Sequence, residues 1–206
     1  MLSRSLVFWE VDTQKDFMLP GGKLYVPGAE RLLPNIQRLT DAARQGRVFL
    51  VSHGCYHTKD DPEFATFPPH CIKGTLGAGF VPQALTERMV TVPNEPTTAL
   101  PEDLSQYQQI LLEKQTLDIF ESRHAGELVE RLGHGPEFVV FGVVTEYCVR
   151  LAAKGLLERR RQVSVVQDAI ETLKSEDGER TITELQALGA GFITTEQALA
   201  RLNNSK

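Results

Sequence analysis

The sequence predicts a three-layer α/β/α sandwich built on an open, mostly parallel sheet. Three observations predict it. Short runs rich in β-branched and aromatic residues recur along the chain. Amphipathic helical stretches separate them. The runs are apolar throughout rather than alternating, the pattern of strands covered on both faces.

Taken in order, "SLVFWEVD" (5–12) is a strand. "AERLLPNIQRLTDAARQG" (29–46) is a helix closed by Gly46. "RVFLVSH" (47–53) is the second strand, "MVTVP" (89–93) a short one and "QQILLEK" (108–114) another. "SRHAGELVERLG" (122–133) is a helix, "EFVVFGV" (137–143) a strand and "TEYCVRLAAKGLLERR" (145–160) a helix. "QVSVVQDA" (162–169) is a strand, "SEDGERTITELQALG" (175–189) a helix, and "GFITT" (191–195) a last strand before "TEQALARL" (195–202). Residues 54–80 break the rhythm with a long loop rich in Pro, His, Asp and Gly, and such loops are usually functional. The closing "NNSK" is expected to fray.

With 206 residues and no interdomain linker, the chain reads as one domain over 1–206. Hydrophobic residues make up 41% and charged residues 24%, ordinary for a globular protein. A formal net charge of -5 offers no basic footprint for nucleic acid or an anionic membrane. Three irregularly spaced cysteines make no disulfide framework and fit a reducing compartment. The opening apolar run is too short for a secretion signal, and nothing approaches a membrane span. The expected location is the cytoplasm.

Ligands of open α/β sheets bind beyond the carboxyl ends of the strands. The predicted strand ends deliver Asp12, Lys114, Cys148 and the group His53, Cys55 and His57 to one edge. Cys148 follows a strand and enters a helix. With Thr145 as the N-cap it falls in the first turn, where free amides and the helix dipole favour a thiolate. Position alone allows two roles, a buried structural cysteine or a nucleophile. Taken singly, Asp12 is a turn cap and Lys114 a solvated strand-end charge. Together they supply a base for the thiol and a cation to hold that base.

"EVDTQKDF", "LEKQTLDIF" and "GVVTEYCV" resemble, in order, the three motifs of the isochorismatase-like cysteine hydrolases, which include nicotinamidases. The likeness takes in "PPHCIKGTLGAGF" and spans residues 6–195. It implies that Asp12 is the general base, Lys114 its cationic partner and Cys148 the nucleophile. It also implies a cis peptide between Val143 and Val144, with the amides of Val144 and Cys148 facing an oxyanion.

The nicotinamidase branch of that family carries a metal near the thiol, held by an Asp-x-His pair, often a further His, and the His of a "PPHC"-like stretch. By that resemblance His57 and His70 match two ligands. Cys55 stands where the Asp is expected, and Glu63 near the further His. Thiolate, imidazole and carboxylate all bind zinc, so one divalent metal with zinc favoured is the expected cofactor, and no organic one. Cys71 adjoins His70 and reads as structural; His53 reads as a supporting or surface residue. Without a metal, His57 and His70 would be ordinary polar loop residues. "GTLGAG" is a loop turn, not a dinucleotide fingerprint.

Phe17, Phe67 and Tyr147 are candidates to line an apolar slot for a planar substrate, although aromatic side chains more often fill cores. The expected activity is nicotinamidase-like: cysteine-dependent hydrolysis of a small amide through a thioester. The alternatives are an isochorismatase-type vinyl ether hydrolase and a binding protein that keeps the pocket without catalysis. The expected partner is a small molecule, with self-association implied by the family resemblance.

Overall fold

The computed structural model describes residues 5–203. The predicted frayed tail, past Asn203, lies outside the described residues. Seven strands form one sheet: β1 (Leu6–Val11), β2 (Phe49–Cys55), β3 (Met89–Val92), β4 (Gln109–Lys114), β5 (Glu137–Val143), β6 (Gln162–Glu171) and β7 (Gly191–Ile193). Their order is β3-β4-β2-β1-β5-β6-β7, and every pairing is parallel, so the sheet is wholly rather than mostly parallel. The central strand β1 is buried along its whole length, which explains its unbroken apolar run.

The helices are α1 (Lys15–Met18), α2 (Leu33–Arg44), α3 (Ala125–Leu132), α4 (Arg150–Glu158), α5 (Ser175–Ala187) and α6 (Thr195–Asn203). The alternation of side chains along each strand divides the core in two. Phe8, Leu50 and Val139 pack with Ile36 and Leu39 of α2 and Ala198 of α6. Trp9, Val51 and Val140 pack with Leu128 of α3, Leu156 of α4 and Leu185 of α5. These are the two outer layers that the sequence predicts.

Element ends differ from expectation where turn chemistry decides. The helix predicted from Ala29 begins as a 3-10 turn (Ala29–Leu32) and becomes α-helical at Leu33. Pro34 sits in the first turn of α2, where its missing N–H costs nothing. Gly46, at φ 71°, takes the left-handed position that ends this helix. Strand β2 runs on to Cys55, so the start of the predicted loop belongs to the sheet. The rest of that segment is tied down by bridges His57–Ile72 and Gln14–Phe80 and by a 3-10 turn at Pro62–Ala65.

Candidate active site

The centre of the sheet assembles the site. β1 lies between β2 and β5, where strand addition changes direction, the usual position of a ligand crevice. Asp12 follows β1 directly with φ 49°, a left-handed backbone that Asp tolerates better than most residues. Its N–H donates to the His53 carbonyl at 2.9 Å, fixing the acid to β2. Lys114 ends β4 and is fully buried. Beyond β5 the Val143–Val144 peptide is cis, as the family resemblance implies. Gly142 precedes it at φ 121°, and a Cβ there would lie 2.0 Å from the Val11 carbonyl oxygen, so only glycine lets β5 approach β1 this closely.

The turn that carries Cys148 differs from the simple helix start expected. Val144 is its cap, not Thr145, and Thr145–Val149 is a π-helical turn ahead of α4. The Val149 N–H reaches back to the Val144 carbonyl at 3.2 Å. Single π turns are frequent at functional sites. Thr145 is held by its hydroxyl, which donates to the Glu171 carbonyl on β6 at 2.8 Å.

The ammonium of Lys114 is the hub. Its Nζ lies 3.0 Å from Asp12 Oδ2, 2.8 Å from Cys55 Sγ and 3.5 Å from Cys148 Sγ, and it donates to the Thr116 carbonyl at 3.1 Å. Burial alone would push this amine down. Asp12, Cys148 and Cys55 outweigh it and hold Lys114 well above its ordinary value. Among the described residues Asp12 Oδ1 has no hydrogen-bond donor, although His53 Nδ1 stands 3.4 Å away. His53 is wholly buried rather than on the surface, and burial pushes its imidazole down, so it sits there neutral.

The two thiols divide one charge. Interaction with Cys148 pulls Cys55 well below the ordinary thiol value, against the cost of burial, with Lys114, His57 and His70 adding to it. Interaction with Cys55, then burial and the Asp12 carboxylate, push Cys148 well above. The balance favours negative charge on Cys55 over Cys148, where the helix-start reading expects it; contact between the two thiols is the first cause, and Lys114, His57 and His70 add to it on the Cys55 side.

The predicted metal residues separate into three that converge and one that flanks. Cys55 Sγ and a nitrogen of each of His57 and His70 lie within 4.8 Å of one another, and all three residues are buried. His57 Nδ1 is engaged by Asp61 Oδ2 at 2.9 Å, while its buried Nε2 has no hydrogen-bond partner among the described residues. His70 Nδ1 donates to the Pro68 carbonyl at 2.8 Å. Each imidazole is thus oriented through one nitrogen with the other left over, as ligands to a metal are. Phe64 packs edge-on against both rings. A thiolate with two imidazoles is a zinc donor set, so the residues fit the expected metal. Glu63 stands beside it, its Oε1 3.9 Å from His57 Nε2 and 3.7 Å from His70 Nε2.

A cleft opens over these groups. Phe17, Phe67 and Tyr147 all line it, as do Asp12, Cys55 and Cys148. Phe67 and Tyr147 meet edge to face, with ring centroids 5.9 Å apart. Leu117 and Leu173 add further apolar wall, and sequence reading gave no signal for either.

Two supporting residues were hidden inside a quoted motif. Gln14 Nε2 donates to the Cys55 and Ala78 carbonyls at 2.6 and 2.8 Å, and its Oε1 accepts from the Cys55 N–H at 2.7 Å. It pins the residue that bears the metal-facing thiol. Asp16 accepts from the Cys71 N–H at 2.7 Å and so fixes the strap behind His70. Asp61 was also findable, because it lies four residues after His57 in "CYHTKDD". Cys71 is buried, and burial pushes its thiol up, in keeping with a structural role.

Comparison with known proteins agrees with this architecture. The family model described as the isochorismatase domain matches residues 6–197. The nicotinamidase of Escherichia coli (strain K12) is 22% identical over 206 residues, covering 89% of this chain and 92% of that protein. The pyrazinamidase of Pyrococcus horikoshii, solved in complex with zinc, is 25% identical with a TM-score of 0.73, over 92% of this chain and 99% of that one. An isochorismatase-like hydrolase from Alkaliphilus metalliredigens superposes with a TM-score of 0.77 at 22% identity, over 96% and 98% of the two chains.

Proposed function

This chain belongs to the isochorismatase family, and on that premise we propose that it hydrolyses a small, uncharged amide through a thioester on Cys148. The observation that carries the reading is the buried Lys114 ammonium, in contact with both the Asp12 carboxylate and the Cys148 thiol on the floor of an apolar cleft.

The chemistry follows from where the protons sit. Cys148 rests as a thiol, so attack needs a base, and Asp12 is the carboxylate at hand. As the sulfur bonds to the amide carbonyl carbon, Asp12 takes the thiol proton. It returns that proton to the departing nitrogen, which leaves as ammonia or an amine. Water then attacks the thioester with Asp12 again accepting a proton; the C–S bond breaks, an acid is released, and Asp12 returns the proton to the Cys148 sulfur. Lys114 holds the carboxylate in place and offsets the negative charge that develops. The amides of Val144 and Cys148 are assigned to the oxyanion.

Cys55, His57 and His70 would hold the divalent metal, with Glu63 at its side. Bound there, a metal supplies a Lewis acid that orients a substrate's ring nitrogen or carbonyl. The zinc complex of the Pyrococcus horikoshii pyrazinamidase supports the assignment.

The cleft lining favours an amide over isochorismate. Among the described residues no lysine or arginine lines its wall, whereas Glu63 does, and Lys114, buried beneath it, is already paired with Asp12, so a substrate with two carboxylates would meet no unpaired side-chain cation there. Phe17, Phe67 and Tyr147 suit a flat, neutral acyl group instead. A panel of small amides that includes nicotinamide and pyrazinamide, assayed for ammonia, tests the proposal. Turnover of neutral aromatic amides is expected. Absence of ammonia from every amide, with turnover of a vinyl ether, would overturn it.

A further inference from the structure

We propose that Cys55 and Cys148 are an oxidisable pair that hydrogen peroxide converts to an intramolecular disulfide. Three observations carry it. First, Lys114 Nζ touches both sulfurs, at 2.8 and 3.5 Å, so they can be no further apart than those two contacts allow. Second, both thiols are free and both line the same cleft. Third, they sit on separate elements, Cys55 at the end of β2 and Cys148 in the turn after β5, and one ammonium brings their sulfurs together, so a bridge would join two elements rather than positions along one strand.

Cys71 provides the internal contrast. It is equally buried and free, but it lies on the strap fixed by Asp16 and does not line the cleft. Burial among acids keeps it a thiol, the inert state of a structural cysteine.

The chemistry balances without any other reactant. One sulfur attacks a peroxide oxygen, which leaves a sulfenic acid on that cysteine and releases water. The second sulfur displaces the hydroxyl as another water and closes the S–S bond. Two thiols lose two electrons and two protons, and one peroxide becomes two waters. The bridged Cys148 has no free sulfur for attack, so the pair would act as a reversible stop on whatever reaction this cysteine performs. A metal at Cys55, His57 and His70 engages one of the two sulfurs, so metal loading and bridging compete.

The test reads mass and connectivity, so it fails or succeeds independently of the amide reading. Chelator-washed protein is treated with a modest excess of hydrogen peroxide, free thiols are alkylated, and the unreduced protein is measured whole and as peptides. The expected product is lighter by two hydrogens, has one alkylated thiol at Cys71, links the peptides that carry Cys55 and Cys148, and reverts with dithiothreitol. Cys71→Ser should bridge like the parent. Cys55→Ser should not bridge, and its Cys148 should pass to sulfinic acid. Protein pre-loaded with zinc should bridge at least several-fold more slowly. A bridge that involves Cys71, or wild-type Cys148 oxidised to sulfinic acid while Cys55 remains a free thiol, would overturn the proposal.

Discussion

Lys114 Nζ is closer to Cys55 Sγ, at 2.8 Å, than to Cys148 Sγ, at 3.5 Å. One buried ammonium therefore contacts both the proposed nucleophile and the proposed metal ligand, and the two halves of the site share a counter-ion. A carboxylate in place of Cys55, which the family resemblance would lead one to expect, would present a harder and smaller donor to the same amine. Sulfur reaches across to Lys114 and to the imidazoles together.

The shared counter-ion makes Lys114 costly to remove. Lys114→Met keeps much of the stem but leaves Asp12 and the Cys55 thiolate buried without compensation. Breaking a buried ion pair from one side costs about 3–5 kcal/mol. The urea midpoint should fall accordingly, and adding Asp12→Asn to Lys114→Met should recover part of the loss. A stability unchanged by Lys114→Met would show that the amine is not the counter-ion of this cluster.

Catalysis should fail at the same three positions in a non-additive way. Cys148→Ala should abolish turnover with the fold intact, because alanine is small and suits the start of a helix. Asp12→Asn should lower kcat by about 10²–10⁴-fold. The Asp12→Asn, Lys114→Met double variant should lose far less than the product of its single losses, since groups that act as a unit do not contribute independently. Steady-state rates on any amide the protein turns over, with circular dichroism of each variant, settle the matter. Multiplicative losses would mean that the residues do not share one step.

Much of this was legible in the sequence because the relevant signals are local. Unbroken apolar runs such as "LVFWEV" exist only where both faces of a strand are covered, and this gave the three layers. Strand ends gave Asp12, Lys114 and Cys148, since a parallel sheet aligns all such ends on one edge. What stayed hidden depends on long-range placement. Leu117 and Leu173 look like any loop leucines until the fold brings them to the cleft. The pull of negative charge toward Cys55 depends on its contact with Cys148 and on its meeting Lys114, His57 and His70 together, and no spacing along the chain encodes that. Turn geometry was equally illegible: "VVTEYCV" gives no local sign that its first turn is π-helical.

Metal binding should show sulfur in the coordination shell. Cobalt added to chelator-treated protein should produce a thiolate-to-metal charge-transfer band that Cys55→Ser abolishes and Cys71→Ser leaves unchanged. Asp61→Ala should weaken zinc binding by about 10–100-fold, because it releases the Nδ1 anchor that orients His57. Zinc bound with unaltered affinity by Asp61→Ala would mean that His57 is oriented by other contacts.

Substrate size should be set in part by Leu173, which Glu146 holds over the cleft. Glu146 Oε1 accepts from the Leu173 and Lys174 N–H groups at 3.0 and 3.2 Å, and Oε2 accepts from the Thr172 hydroxyl at 2.7 Å. Glu146→Ala should release this segment and raise KM more than it lowers kcat. Leu173→Ala should shift the kcat/KM ratio of bulky over small amides by about 10-fold or more. An unchanged ratio would place the limiting wall elsewhere.

A last prediction concerns an acid outside the reaction. Glu10 sits in mid-strand on β1, wholly buried, and accepts from the Ser52 hydroxyl at 2.6 Å through Oε2. Among the described residues its Oε1 has no partner. Burial dominates over the Ser52 hydrogen bond and pushes its carboxyl from 4.5 up to about 8. The folded protein therefore keeps Glu10 protonated through neutral pH, while the unfolded chain ionises near 4.5. Between those two values the unfolded state binds fewer protons than the folded state, so stability must fall as pH rises. The contribution is fully present below about 4.5, declines across the interval and is gone above about 8. The whole interval corresponds to about 5 kcal/mol. Glu10→Gln keeps the shape and an acceptor for Ser52 but cannot ionise, so it should erase this slope. The difference between wild-type and Glu10→Gln urea midpoints, measured from pH 5 to about pH 9, isolates the effect from the titrations of Cys55 and His57. The variant should gain relative to wild type steadily across that range and level off near the top. Two midpoint curves that run parallel would mean that Glu10 is already ionised in the fold, and that Ser52 compensates a buried carboxylate.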